Sequence, residues 1–87
     1  MLIKLFGGLR QKAGGAEVDG SGATIREALA NLCRENETLR QAIFAGDTLQ
    51  PHVRVMLNGR DCELLQGLET AVTDQDHIAV FPPIAGG

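Results

Sequence analysis

The sequence contains no tryptophan and no tyrosine, and only three phenylalanines, two cysteines and two histidines; Lys4 and Lys12 are its sole lysines. Each shortage excludes something. A core without large aromatics has to be aliphatic, so Phe6, Phe44 and Phe81 become positions to follow. Eight basic against eleven acidic residues leave a net charge of −3, without the basic stripe that nucleic-acid binding uses. No apolar run approaches the ~20 residues of a membrane-spanning helix. The apolar part of the opening MLIKLFGG is too short for a secretory signal and reads as a strand, so the expected location is the cytoplasm. Two cysteines in that compartment are expected as reduced thiols, not as a staple. His52 and His77 lack companions at ligand spacing, so no metal site is expected.

What is present fits one domain. Eighty-seven residues with 44% hydrophobic content lie just above the size at which disulfides or metals are usually needed. LIKLF alternates, with Ile3 and Leu5 on one face and Leu2, Lys4 and Phe6 on the other. GGLRQKAGG is expected to be a loop, flexible at its paired glycines and without the Lys-Ser/Thr ending of a phosphate loop. AEVDG is expected to be a short second strand. TIREALANLCREN places Ile25, Ala28, Leu29, Leu32 and Cys33 on one helical face. Thr24 with Glu27 three residues later forms a capping box, and Asn36 is the expected stop. ETLRQAIF repeats a weaker helical spacing, and AGDTLQPH is expected to be a loop. VRVML alternates, with Val53, Val55 and Leu57 together, and Asn58-Gly59 signals a tight reversal. Cys62 and Leu64 are expected to begin the returning strand. QGLETAVTDQD is turn-rich, with Asp74 and Asp76 leading into the last strand HIAVF. The order strand, strand, helix, strand, short strand, strand predicts an α+β β-grasp domain. Four to five strands would form a mixed sheet, with one main helix across one face. The first and last strands then lie side by side, burying Ile3, Leu5, Ile78 and Val80 under Leu29 and Leu32.

Conventional catalytic sets are absent. Cys33 falls on the apolar helix face and reads as core. Cys62 is expected to be half exposed, with only Arg60 nearby to lower its pKa. The ending VFPPIAGG is different. Pro82 and Pro83 cannot continue a ladder and fix φ, so the chain should leave the last strand stiff and extended. Ile84, Ala85, Gly86 and Gly87 then make a thin thread, whose last two positions carry no Cβ and can enter a narrow channel in another protein. The reactive group is expected to be the carboxylate of Gly87. Residues 1–87 are thus expected to form a single domain, with 82–87 as a projecting functional tail. If Ile3, Leu5, Ile78 and Val80 face the helix, Phe6 and Phe81 point away from it and form an apolar docking face.

DQDHIAVFPPIAGG resembles the C-terminus of the ubiquitin-like sulfur carriers, the family of the molybdopterin synthase small subunit and the thiamine-pathway carrier. VFPPIAGG and IKLFGGLRQKAGG are most similar to the molybdopterin synthase branch, and the resemblance covers nearly the whole chain. NGRDCELLQGLETAVTDQD is longer than in the shortest molybdopterin subunits and also resembles carriers for cysteine synthesis and small archaeal protein modifiers. The resemblance implies a cycle. An E1-like adenylating enzyme activates Gly87 with ATP, and a persulfide sulfur replaces the adenylate. The resulting thiocarboxylate enters a partner such as the molybdopterin synthase large subunit, with Gly86, Ala85, Ile84, Pro83, Pro82, Phe81 and Phe6 on the partner-binding side. No bound cofactor, no nucleic acid and no membrane enter that cycle. The chain would be a non-catalytic sulfur donor, not an enzyme alone. The alternatives are sulfur carriage for cysteine or another metabolite, covalent protein modification, and a plain binding module with an inert tail.

Overall fold

The structure, a computed structural model, describes residues 1–83. Its centre is the pair the alternation requires. Strand β1 (Leu2–Leu5) runs parallel to β7 (His77–Phe81), with Ile3 opposite Ile78 and Leu5 opposite Val80. All four side chains are buried. β2 (Glu17–Asp19) joins β1 antiparallel, β5 (Arg54–Leu57) joins β7 antiparallel, and β6 (Arg60–Asp61) closes the far edge, giving the order β2-β1-β7-β5-β6. Val55 and Leu57 face Val80 and Ile78 across the β5–β7 ladder and are likewise buried. A parallel pair cannot be joined by a tight turn. The crossover between β1 and β7 carries the helices that cover one sheet face, the β-grasp arrangement.

The covering helix, α2, spans Ile25–Leu32. Ile25, Ala28 and Leu29 are fully buried, and Leu32 packs at the margin of the core. Burying each branched aliphatic side chain in this way is worth about 1.5–3 kcal/mol. Thr24 caps the helix, its hydroxyl accepting from the Glu27 amide at 3.1 Å, while the Glu27 carboxylate accepts from the Ala23 amide at 2.9 Å. The reciprocal bond of the capping box therefore reaches one residue further back than expected. Residues 66–76 fasten onto this helix entrance: Ile25 N–H donates to Thr70 C=O, Val72 N–H donates to Ala23 C=O, and Arg26 pairs with Glu69 at 2.6 Å. Asn58 and Gly59 both have positive φ, 51° and 85°, the geometry of a primed hairpin turn that favours Asn-Gly. Asn58 also ties this turn to β7, accepting from the His77 amide at 2.8 Å and donating to Asp76 at 2.9 Å.

Several expectations fail. GGLRQKAGG is not a loop: Gly8–Ala13 forms a short helix, α1, anchored by buried Leu9. Its glycines are caps, Gly7 at φ 58° before it and Gly14 in the left-handed region after it. Asn36 is not a stop. Helix α2 already ends at Leu32, and Asn36 caps α3 (Glu37–Ile43), accepting from the Leu39 amide at 3.0 Å. AGDTLQPH includes part of a small hairpin, in which β3 (Phe44–Ala45) pairs with β4 (Thr48–Leu49) around Gly46-Asp47. The returning strand stops before Cys62, because the Asp61 carboxylate accepts from the Glu63 amide at 2.9 Å and starts a 3-10 turn over Cys62–Leu64. Cys62 is buried rather than half exposed, and Leu64 is 77% exposed instead of lying in a strand.

Candidate functional site

The last strand divides its side chains between two faces. Ile78 and Val80 enter the core, while His77, Ala79 and Phe81 take the opposite face. Phe6 follows β1 and continues its ladder, donating its amide to Val80 C=O at 3.2 Å. That bond brings the two rings together: Phe6 and Phe81 stack with centroids 4.4 Å apart and an interplanar angle of 11°. Phe6 is 37% exposed and Phe81 is half-buried. Strand alternation and pairing add Lys4, Met56 and Arg54 to the same helix-free face. Met56 lies opposite Ala79 and Arg54 opposite Phe81. Arg54 is held by Asp61 at 3.0 Å. The resulting surface is an aromatic pair beside aliphatic neighbours, edged by cationic groups in a chain that is acidic overall.

The ladder ends at Phe81, where Pro82 supplies no N–H to continue it. Pro82 is half-buried and Pro83 exposed. Pro82 rests on Gly7: a Cβ built at Gly7 would stand 2.7 Å from Pro82 Cγ. The chain therefore leaves the sheet beside the β1–α1 connection, adjoining the stacked rings. Of the expected site residues, Phe6, Phe81, Pro82 and Pro83 come together at this corner. Ile84, Ala85, Gly86 and Gly87 lie outside the described residues. Lys4, Arg54 and Met56 carry no signal of their own in the sequence; strand alternation places them on this face once the pairing is known. The Gly7–Pro82 contact has no signature in sequence, since it joins residues 75 positions apart that nothing local relates.

The remaining candidates recede. Burial pushes the Cys33 thiol up to about 11. Burial also raises the Cys62 pKa, reinforced by the charges of Asp61 and Glu63, so neither sulfur sits where a thiolate is favoured. Both histidines are exposed. Among the described residues no group of three or more His, Cys, Asp or Glu side chains is arranged to hold a metal ion, and no helix is long and apolar enough to cross a membrane. A cavity of about 370 Å³ beside α2 and α3 is lined in part by Arg26, Arg34 and Arg40. These guanidinium groups already have protein partners in Glu69, Asn31 and Glu37 respectively.

The sheet thus ends in an aromatic corner, and the chain leaves it through Pro82 and Pro83. Residues 3–87 match the model of the ThiS family. The chain belongs to that family. It is 40% identical over 65 residues to small archaeal modifier protein 3 of Haloferax volcanii, covering 75% of this chain and 71% of the relative. It is 34% identical over 77 residues to the sulfur carrier protein CysO of Mycobacterium tuberculosis, covering 88% and 82%. The solution structure of small archaeal modifier protein 1 from Methanosarcina acetivorans superposes with a TM-score of 0.89 at 34% identity, covering 99% of this chain and 94% of that one. Ubiquitin-like sulfur carriers and modifiers are thus this chain's relatives.

Proposed function

We propose that this ThiS-family chain carries sulfur as a thiocarboxylate on Gly87 and surrenders it inside a partner enzyme. An E1-like enzyme would join the Gly87 carboxylate to AMP from ATP, releasing pyrophosphate. A persulfide then displaces AMP, and a second thiol cleaves the resulting acyl disulfide, leaving the thiocarboxylate and a protein disulfide. The chain supplies the nucleophile and its presentation, and the partner supplies the pocket. Much of the rate can therefore come from holding the sulfur against the acceptor. The observation that carries this reading is the exit itself: the sheet ends at an outward, stacked Phe81 and continues into Pro82-Pro83. Ile84, Ala85, Gly86 and Gly87 follow them in the sequence.

The acceptor proposed from the VFPPIAGG tail is the pterin precursor on a molybdopterin synthase large subunit, which would dock on Phe6 and Phe81 and take Pro82, Pro83, Ile84, Ala85 and Gly86 into its channel. A second reading is favoured by the relatives, which are named as modifiers and as CysO. In it the sulfur passes to an activated serine derivative for cysteine synthesis, or the activated Gly87 acyl group is joined to lysines of other proteins. Single-turnover transfer from the thiocarboxylated protein separates them. Dithiolene formation with the large subunit supports the first; sulfide addition to the serine derivative, or isopeptide conjugates, supports the second.

A further inference from the structure

Between the Phe6–Phe81 corner and the tail, Gly7 packs against Pro82. Gly7 sits at φ 58° at the entrance of α1, and the space a Cβ would fill is occupied by the Pro82 ring, with Cγ at 2.7 Å and Cδ at 3.5 Å. Real Cβ atoms essentially never approach a carbon so closely, so a side chain at position 7 would have to displace something. Gly7 itself has little freedom to move. Phe6 is bonded to Val80 on one side, Arg10 N–H donates to Gly7 C=O on the other, and Leu9 plugs α1 into the core at 2% exposure. Pro82 is the lighter partner, because it lies past the last ladder pair at Phe81, is only half-buried and is followed by exposed Pro83.

We propose that Gly7 is a positioning residue for the tail: its missing Cβ forms the seat on which Pro82 lies, and this seat sets the direction of the chain as it passes Pro82. The inference rests on the carrier reading. Drawn out straight in a partner's channel, the five residues after Pro82 span about 17 Å. A tilt of about 10° at Pro82 would then move the Gly87 carbon by about 3 Å. A tail leaving in the productive direction spares the partner from ordering it, and that advantage belongs to binding more than to chemistry.

The test combines two readouts. In adenylation by the E1-like enzyme of the same genome, Gly7→Ala should raise KM about tenfold, the equivalent of about 1.4 kcal/mol, with kcat changed by less than about twofold. Pro82→Ala removes the ring from the other side of the contact and leaves the Gly7 backbone untouched, so it should raise KM similarly. The double variant should be no worse than Pro82→Ala alone. Wild-type KM in Gly7→Ala, or additive effects in the double variant, would overturn the proposal; additivity would trace the loss to the strained φ instead of the seat. The second readout needs no enzyme. A nuclear Overhauser contact between Gly7 Hα and the Pro82 ring is expected in the wild type, with residual dipolar couplings after Phe81 changing in Gly7→Ala while those of β1 and β7 hold. Its absence overturns the seat whatever the kinetics. If the contact is present but the wild-type chain is never adenylated, the carrier reading fails and the seat stands as a structural fact.

Discussion

Replacing Phe81 by alanine separates a docking role from a structural one. The ring is half-buried and stacked on Phe6 at 4.4 Å. Full Phe→Ala truncation in a core costs about 3–5 kcal/mol, and a half-buried position should give roughly half of that. This includes the loss of a stack worth about 0.5–1.5 kcal/mol beyond its area. The expected loss is about 2 kcal/mol. At roughly 4–8 °C per kcal/mol for a domain of this size, the melting temperature should fall by about 8–16 °C. Phe6→Ala should cost less, because Phe6 is 37% exposed. Affinity should move differently. If the partly exposed pair forms the centre of a docking face, its truncation should cost more than about 1 kcal/mol in binding. Both variants should therefore weaken binding to the E1-like enzyme about tenfold or more when measured by calorimetry well below their melting temperatures. The double-mutant cycle in stability should show coupling of about 0.5–1.5 kcal/mol. If both variants melt lower yet bind within about twofold of wild type, the pair only covers the sheet and the docking assignment is wrong.

Removing Gly87, or adding one residue after it, should leave the melting temperature unchanged and abolish charging, as read by intact mass after incubation with the E1-like enzyme, ATP and a sulfur donor. Cys33→Ala/Cys62→Ala should still be charged, and the native thiols should react slowly with a thiol reagent near neutral pH, since burial holds both in the protonated form. Asp76 is held below its ordinary value of 3.8, first by the Asn58 amide and then by the Thr73 amide. A carboxylate depressed on folding stabilises the native state above its unfolded pKa and loses that effect as pH falls through the folded value. Asp76→Asn should therefore lower the urea midpoint at neutral pH, and the two midpoints should converge as pH drops below 3.8.

The elements legible in the sequence are those whose periodicity and burial agree. Ile3 and Leu5, Val55 and Leu57, and Ile78 and Val80 alternate and are buried, and α2 follows its apolar stripe from a Thr24 cap. The misreadings share a cause, which is that short elements take their stability from neighbours more than from their own pattern. In α1 the paired glycines of GGLRQKAGG suggest flexibility. They serve instead as caps around six residues whose one buried anchor is Leu9, and the Leu9–Ala13 spacing was the available signal. The β3–β4 hairpin had a signal in Gly46-Asp47, a two-residue turn, but its two-residue strands are too brief to alternate. The strand after Asn58-Gly59 was extended too far because Asp61 diverts its carboxylate to the Glu63 amide, a choice that local sequence leaves open. At the candidate site, strand phase gave the outward direction of Phe6 and Phe81. Their stacking depends on the parallel β1–β7 register, and the seating of Pro82 on Gly7 depends on tertiary placement alone.

The central claim is tested most directly by the intact mass of the wild-type chain after incubation with the E1-like enzyme, ATP and a persulfide sulfur donor, followed by fragmentation of the C-terminal peptide. The expected result is a gain equal to the exchange of one oxygen for one sulfur, localised to Gly87 and shifted up by one further alkyl group on treatment with a reagent that alkylates thiocarboxylates. An unmodified chain under conditions that charge a known sulfur carrier, or sulfur found on Cys33 or Cys62 instead, would contradict it.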